Sequence, residues 1–338
     1  GGTAPDVSRR TRVTDQSSLL GVRGTEKLGS DLTAFFQLET AFRPDQNNTT
    51  FAARNSAVGL QGGWGTIKLG RMDTPFKSYG DDLSFLGVSS GNFVSSSNVL
   101  RKTGFGTNSA SSFHLRRQNA AQYETPEFHG LEAAVQYSND ETDTPTRHAH
   151  VWSAAVAYDV GPLRVSLAHE RHWDLFGGSR NVPTAMSNFN DQSVRSKDKA
   201  TQLMLLYKLG NHRFEADYIR KEYDENPTVT GRFQSYKNNA YEVIWDARWT
   251  RQWRTQVEYI KSFKGSCTRV NAVCNTDGLD GSQINAGLAY YFSRQTYAFL
   301  MAAWLKNGSS ARYNNDFTDN PNPGEDITIY ALGIAHSW

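Results

Sequence analysis

Few residues in this chain stand at spacings that could make or break bonds. Gly87-Val88-Ser89-Ser90-Gly91 matches G-x-S-x-G, the nucleophile elbow of serine hydrolases. That motif works on a strand-turn-helix, where the sharp turn exposes the serine and the helix start helps to hold an oxyanion. Here it sits in a Ser/Gly-rich stretch with no helical pattern after it, so acyl transfer is not expected. His169-Glu170-Arg171-His172 misses the i, i+4 histidine spacing of a zinc helix, and His148 and His150 share a strand face without an identifiable third ligand. Cys267 and Cys274 lie in one polar loop with no histidine nearby to complete a zinc set. Two thiols so placed point to an oxidising compartment and a small disulfide, worth roughly 2–3 kcal/mol on the loop-entropy model. There is no phosphate loop and no dinucleotide fingerprint, so the expectation is no enzyme, no metal and no cofactor.

What remains is fixed charge. Arg164, Glu242, Asp246, Arg248, Arg254 and Glu258 fall on the even positions of alternating segments, where charges solvate a wall. Lys77, Asp81, Asp82, Arg101 and Lys102 belong instead to Thr74–Leu115, a segment rich in Ser, Gly and Asn with no strand-like run. Loops this long inside a regular pattern are uncommon and usually functional. Its charges either line a pore or anchor the loop.

The elements that position these charges repeat one rhythm of about ten alternating residues, a tight turn, about ten more, and a longer polar loop. Tyr241, Val243, Trp245 and Trp249 alternate with Glu242, Asp246 and Arg248, and Trp253, Val257 and Tyr259 with Arg254, Gln256 and Glu258. Seven tight connections alternate with seven long ones, at 43–51, 74–115, about 140–147, 175–198, 224–235, 264–281 and 307–325. A meander with its short turns at one end and its long loops at the other is the up-and-down design of outer-membrane barrels. Aromatics near the strand ends, among them Phe42, Trp64, Phe128, Tyr158, Trp173, Trp249, Trp253, Phe292 and Trp338, fit an interface girdle. No run approaches 18 apolar residues, which excludes a transmembrane helix, and the mean hydropathy of −0.60 is compatible with strands whose two faces cancel. The net charge of +2 marks no nucleic-acid binder. Fifteen strands are readable, from Gln16–Glu26 to Asp326–Trp338, whereas a closed antiparallel barrel normally has an even number. Because residues 1–15 do not alternate, the expectation is that the first strand is missing from the chain as given.

The segments Leu19–Thr40 (LLGVRGTEKLGSDLTAFFQLET), Arg54–Arg71, Arg116–Leu131 and Leu332–Trp338 resemble the Gram-negative general porins, sixteen-stranded trimeric channels. The resemblance runs the length of the chain. It implies an all-β fold, a transmembrane antiparallel barrel formed by residues 1–338, with the third long loop, 74–115, folded inward as a constriction. Arg54 and Arg116 match the basic cluster facing that loop, and Glu39 the acidic end of the third strand. Three departures stand out: Leu19 replaces a frequent arginine, Ala335 an arginine before the terminal histidine, and Trp338 the usual phenylalanine. The expectation is therefore an outer-membrane homotrimer, in contact with membrane lipid and lipopolysaccharide, that passes ions and small hydrophilic solutes. From Thr74 to Arg116 cations outnumber acids, so the expected preference for anions is mild. A substrate-selective channel is the alternative, and a soluble secreted β-hydrolase or lectin a remote one.

Overall fold

The computed structural model describes residues 11, 13–15, 17–42, 51–80, 82–88, 93–106, 111–141, 144–315 and 321–338. Asp81, Ser89 to Gly91, most of the 43–51 loop and most of the N-terminal stretch discussed above lie outside the described residues.

Short strands come first: β1 (Leu19–Lys27), β2 (Thr33–Ala41), β3 (Ser56–Gly62), β4 (Gly65–Asp73), β5 (Arg116–Glu124) and β6 (Leu131–Asn139). Longer ones follow as β7 (His150–Val160), β8 (Leu163–Trp173), β9 (Ser196–Leu209), β10 (His212–Glu225), β11 (Phe233–Arg248) and β12 (Trp253–Ser262). The chain then forms β13 (Ser266–Arg269), β14 (Gly281–Tyr291), β15 (Thr296–Asn307) and β16 (Ile327–His336). Consecutive strands pair antiparallel in one 16-stranded sheet, except that β13 leaves the path and pairs with the long-loop end of β11. Among the described residues the meander itself thus has fifteen strands, and the sixteenth is a short hairpin arm within 264–281, a segment that reads as plain loop from its sequence. Among the described residues, β1 and β16 are each paired along one edge.

The faces of the sheet are inverted relative to a water-soluble protein. Val22, Val58, Leu69, Trp152, Leu205, Tyr218, Val243, Leu300 and Leu332 are exposed, whereas Gln136, Glu170, Gln202, Glu242, Gln256, Glu258, Gln283 and Asn285 are buried. A soluble two-sheet sandwich would bury the apolar set of the same alternation against its partner sheet. Leaving it open on strand after strand is stable only where the surrounding solvent is hydrocarbon.

The described residues between 74 and 115 lie against the concave side. Thr74 caps a single helical turn, α1 (Pro75–Ser78), whose first residue is a proline already at helical φ. Two short 3-10 turns follow, at Phe85–Gly87 and Ser96–Asn98. Phe76, Leu86, Val99, Leu100 and Phe113 are fully buried. One group packs with Ile219, Tyr223, Tyr236, Ile260 and Leu305, the other with Ala289, Phe299 and Met301, all from the sheet. The loop therefore carries a small hydrophobic core inside a wall that is otherwise polar.

Candidate pore constriction

The inward side chains of the sheet hold the loop by its backbone. Ser153 Oγ on β7 accepts from Phe76 N at 2.9 Å, and Ser166 on β8 donates to the Tyr79 carbonyl. Gln202 on β9 donates to Gly80 O at 2.6 Å, and Gln256 on β12 accepts from Leu86 N at 2.7 Å while donating to Leu83 O at 3.3 Å. Farther round, Gln283 and Asn285 on β14 donate to Phe93 O and Val94 O, and Tyr297 on β15 to Leu86 O. On the return, Lys221 of β10 donates to Leu100 O and Lys102 O, and Tyr223 to Ser111 O. A loop cannot satisfy β7 and β15 together unless the sheet curls around it. Two glycines permit the close approach: a Cβ at Gly80 would meet the Gln202 amide at 2.8 Å, and one at Gly287 would meet Leu86 at 2.6 Å.

Among the described residues these anchors lie on β7 to β15, whereas the charge gathered near β3, β4 and the start of β5 is basic. The two meet at the base of the loop, where Thr74 N donates to Leu115 O at 3.1 Å. Asp73, the last residue of β4, receives Lys77 Nζ at 2.8 Å and Arg116 Nη2 at 3.0 Å, with Asn55 donating to its other oxygen at 3.2 Å. Arg116 Nε also donates to Asn55 Oδ1 at 2.9 Å. Arg54 lies beside Arg116, Asp73 and Glu39, and its buried Nε has no hydrogen-bond partner among the described residues. Burial, reinforced by Arg116, lowers the Arg54 pKa from its ordinary value, and burial does the same to Lys77 despite the pull of Asp73.

The charged residues read from the sequence divide by position. Arg54, Lys77 and Arg116 meet at the base of the loop, and Glu39 lies next to them, its backbone carbonyl receiving Arg54 N at 3.0 Å. Asp82 reaches the wall instead, 2.9 Å from Arg164 Nε. Arg101 is fully buried, donating to Gln202 at 3.1 Å, to His114 Nδ1 at 2.9 Å and to the Gly80 carbonyl. Lys102 Nζ turns to Asn314 at 3.1 Å, and desolvation lowers its pKa to about 8. Cys267 and Cys274 are joined as a disulfide with a Cα separation of 5.6 Å, and Cys267 pairs with Tyr236 in the β11–β13 hairpin. Two further cations belong to the basic group: Arg71 Nε donates to Ala53 O at 2.9 Å near Arg116, and Arg117 Nε donates to Ser138 at 3.2 Å. Arg71 lies within the register shift between Gly70 and Met72 and Arg117 at its edge, opposite Met72, where strand alternation gives no guide to facing.

Residues 1–310 match the family model of the Gram-negative porins. The chain is 24% identical over 318 residues to the major outer membrane protein P.IB of Neisseria gonorrhoeae, covering 92% of this chain and 84% of that protein. To the P.IB protein of Neisseria meningitidis serogroup B it is 26% identical over 313 residues, covering 91% and 82%. Among solved structures it is similar to an anion-selective porin from Comamonas acidovorans, with a TM-score of 0.73 at 23% identity over 95% of this chain and 90% of the other. A trimer form of OmpT from Vibrio cholerae matches with a TM-score of 0.68 at 15% identity over 98% and 94%. The match in sequence and the inverted sheet with its inward loop lead to one conclusion: the chain belongs to the Gram-negative porin family, and it is a channel protein of the bacterial outer membrane, not an enzyme.

Proposed function

We propose that the channel passes ions and small hydrophilic solutes with a mild preference for anions, and that it works as a homotrimer. The supporting observation is the balance of charge at the base of the loop. Asp73 is shared between Lys77 and Arg116, and Arg54 and Arg71 stand beside them, with Glu39 and Asp15 as further nearby acids, so the cations still outnumber the acids. Against this, the only acids in the sequence from 74 to 115 are Asp81 and Asp82, and Asp82 is paired with Arg164. Fixed positive charge at a narrow, low-dielectric passage lowers the barrier for anions, whereas charge more than about 8–10 Å away is blurred by salt. That one structural neighbour is an anion-selective porin agrees with this reading, and the OmpT trimer form agrees with the assembly. The test is the reversal potential in a planar bilayer under a salt gradient. Wild type should favour anions, and Arg54→Ala with Arg116→Ala should bring the permeability ratio towards unity. Cation preference in the wild type, or an unchanged ratio in the double variant, would overturn the proposal.

A further inference from the structure

At the short-turn end of β11 to β15 the inner wall carries a run of rings beside a guanidinium. Tyr291, the last residue of β14, and Tyr297, near the start of β15, stand opposite each other and stack with centroids 4.7 Å apart and planes 24° apart. The guanidinium of Arg248, the last residue of β11, lies 4.8 Å from the Tyr291 centroid. Phe299 continues the run 6.3 Å beyond Tyr297. That these rings face inward follows from their partners. Arg254 Nη1 donates to Tyr291 Oη at 3.3 Å, and Tyr297 Oη donates to Leu86 O, in the loop, at 2.9 Å. Tyr290, the neighbour of Tyr291, points the other way and is exposed beside Trp253 on the outer face.

Packing against the loop uses only part of this surface. Phe299 is buried with the loop's second apolar cluster, whereas Tyr291 and Tyr297 stay half-buried and Arg248 is exposed. Asp246 takes both Arg213, at 2.9 Å, and Arg254, at 2.6 Å, and the next acids, Glu215 and Glu258, are buried one row further towards the loop. Arg248 forms no ion pair among the described residues, so its charge is left facing water while a ring lies beneath it. The strand beyond the rings leaves them room. Ala335 of β16 stands opposite Tyr297 with a methyl too short to cover it, and a Cβ at Gly333 would run into the Phe299 ring. Two half-open rings next to a water-facing guanidinium suit a solute that carries a ring for the stack and a carboxylate for the cation.

We propose that this corner of the inner wall is a subsite for an aromatic carboxylate, its ring packing on the Tyr291–Tyr297 pair and its carboxylate meeting Arg248. The inference rests on the reading of the chain as a channel for small hydrophilic solutes, and it adds a preference for one chemical class among anions of equal charge.

The experiment is a saturation-transfer NMR titration of the detergent-solubilised protein with benzoate and with cyclohexanecarboxylate, the signal of empty micelles being subtracted and heat-dependent gel migration checking the fold. The two probes are alike in size and both ionised at neutral pH, so their affinity ratio cancels any general preference for anions. A failure here is therefore distinct from a failure of the reversal-potential test. Wild type should bind benzoate roughly two- to tenfold more tightly than cyclohexanecarboxylate. Tyr291→Leu keeps an apolar side chain without a ring and should bring the ratio towards one, whereas Tyr290→Leu, on the outer face, should leave it as it is. Arg248→Gln should weaken both anions and keep the ratio above one. Because Arg248 is exposed, this variant still decides the matter should Tyr291→Leu fail to fold. Equal affinity of wild type for the two probes, an unchanged ratio in folded Tyr291→Leu, or unchanged affinities in Arg248→Gln would overturn the proposal.

Discussion

Asp73 is a single carboxylate between two cations, and its removal separates the electrostatic from the structural role of the cluster. Asp73→Asn keeps the shape and the contact to Asn55 but leaves Lys77 and Arg116 without their shared anion. Anion preference should rise, while the base of the loop should lose about 1–3 kcal/mol through unpaired, partly buried charge. Reversal potential and thermal unfolding report the two effects separately. His114 offers a pH-dependent counterpart. Its Nδ1 accepts from Arg101, and burial, followed by the charges of Lys77, Arg101, Lys102 and Arg116, holds its pKa well below the usual histidine value. Below about pH 6.5 the unfolded chain binds a proton at this residue that the folded protein does not, so stability is present above that pH and falls as the solution is acidified. The loop should therefore loosen between pH 7 and 5, seen as more frequent current closures. His114→Gln, which can still accept from Arg101 but cannot titrate, should remove that dependence. That Arg54 and Arg116 lie together could be anticipated because both sit in extended family-like motifs. Arg101 and Lys102 were open to two readings because an aperiodic loop has no inside and outside until its contacts are known, and Arg71 and Arg117 were missed because a bulge breaks the period there.

The position of the 74–115 loop is set by elements it does not belong to. Gln202, Gln256, Gln283 and Asn285 occupy inward strand positions that the sequence marks only as polar, yet each binds a loop carbonyl or amide. Their amides are chosen over charges because a neutral donor and acceptor pair with backbone at low desolvation cost. Gln256→Leu would leave the buried Leu86 N–H unpaired, at a cost of about 1–3 kcal/mol. It should increase current flicker and speed hydrogen exchange at Leu86 roughly tenfold, without altering strand pairing. Unchanged exchange there would show that the apolar packing of Leu86 alone holds this segment. The disulfide is an element of another kind. Cys267→Ser with Cys274→Ser frees only a short hairpin arm beyond the main sheet, so the temperature of the gel-migration shift should be almost unchanged. Strand existence and order were readable from alternation and loop spacing. Strand length was not, because β9, β10 and β11 continue into segments whose alternation is charged and polar on both faces, and β13 is too short to show a period.

At the scale of the molecule, the two sides of the sheet face different surroundings. The early strands have 7 to 9 residues, whereas β9, β10 and β11 have 14 to 16, well above the roughly 9–11 that cross a bilayer. The exposed aromatics Trp152, Tyr158, Tyr207, Phe214, Tyr218, Trp249, Trp253 and Tyr290 come from β7 to β14 and the turns between them. The outward residues of β1 to β4 are mainly aliphatic, among them Leu20, Val22, Val58, Leu60, Ile67 and Leu69, with Phe36 in β2, Phe42 just after it and Trp64 in the β3–β4 turn as exposed aromatics. An aromatic girdle belongs where a wall meets lipid headgroups, and its thinning on β1 to β4 fits a surface that meets other copies of the chain. On this reading copies of the chain are expected to meet through the short strands, with the girdled wall of the long strands towards lipid. Nitroxide labels at Val22→Cys on β1 and Leu203→Cys on β9 test this in reconstituted vesicles, because dissolved oxygen concentrates in lipid and broadens only the labels that face it. The β9 label should be freely accessible to oxygen, and the β1 label shielded in the assembled protein but accessible once detergent and heat separate the copies. Equal accessibility at both sites in the assembled state would show that the short-strand wall faces lipid and that the copies, if they assemble, do so elsewhere.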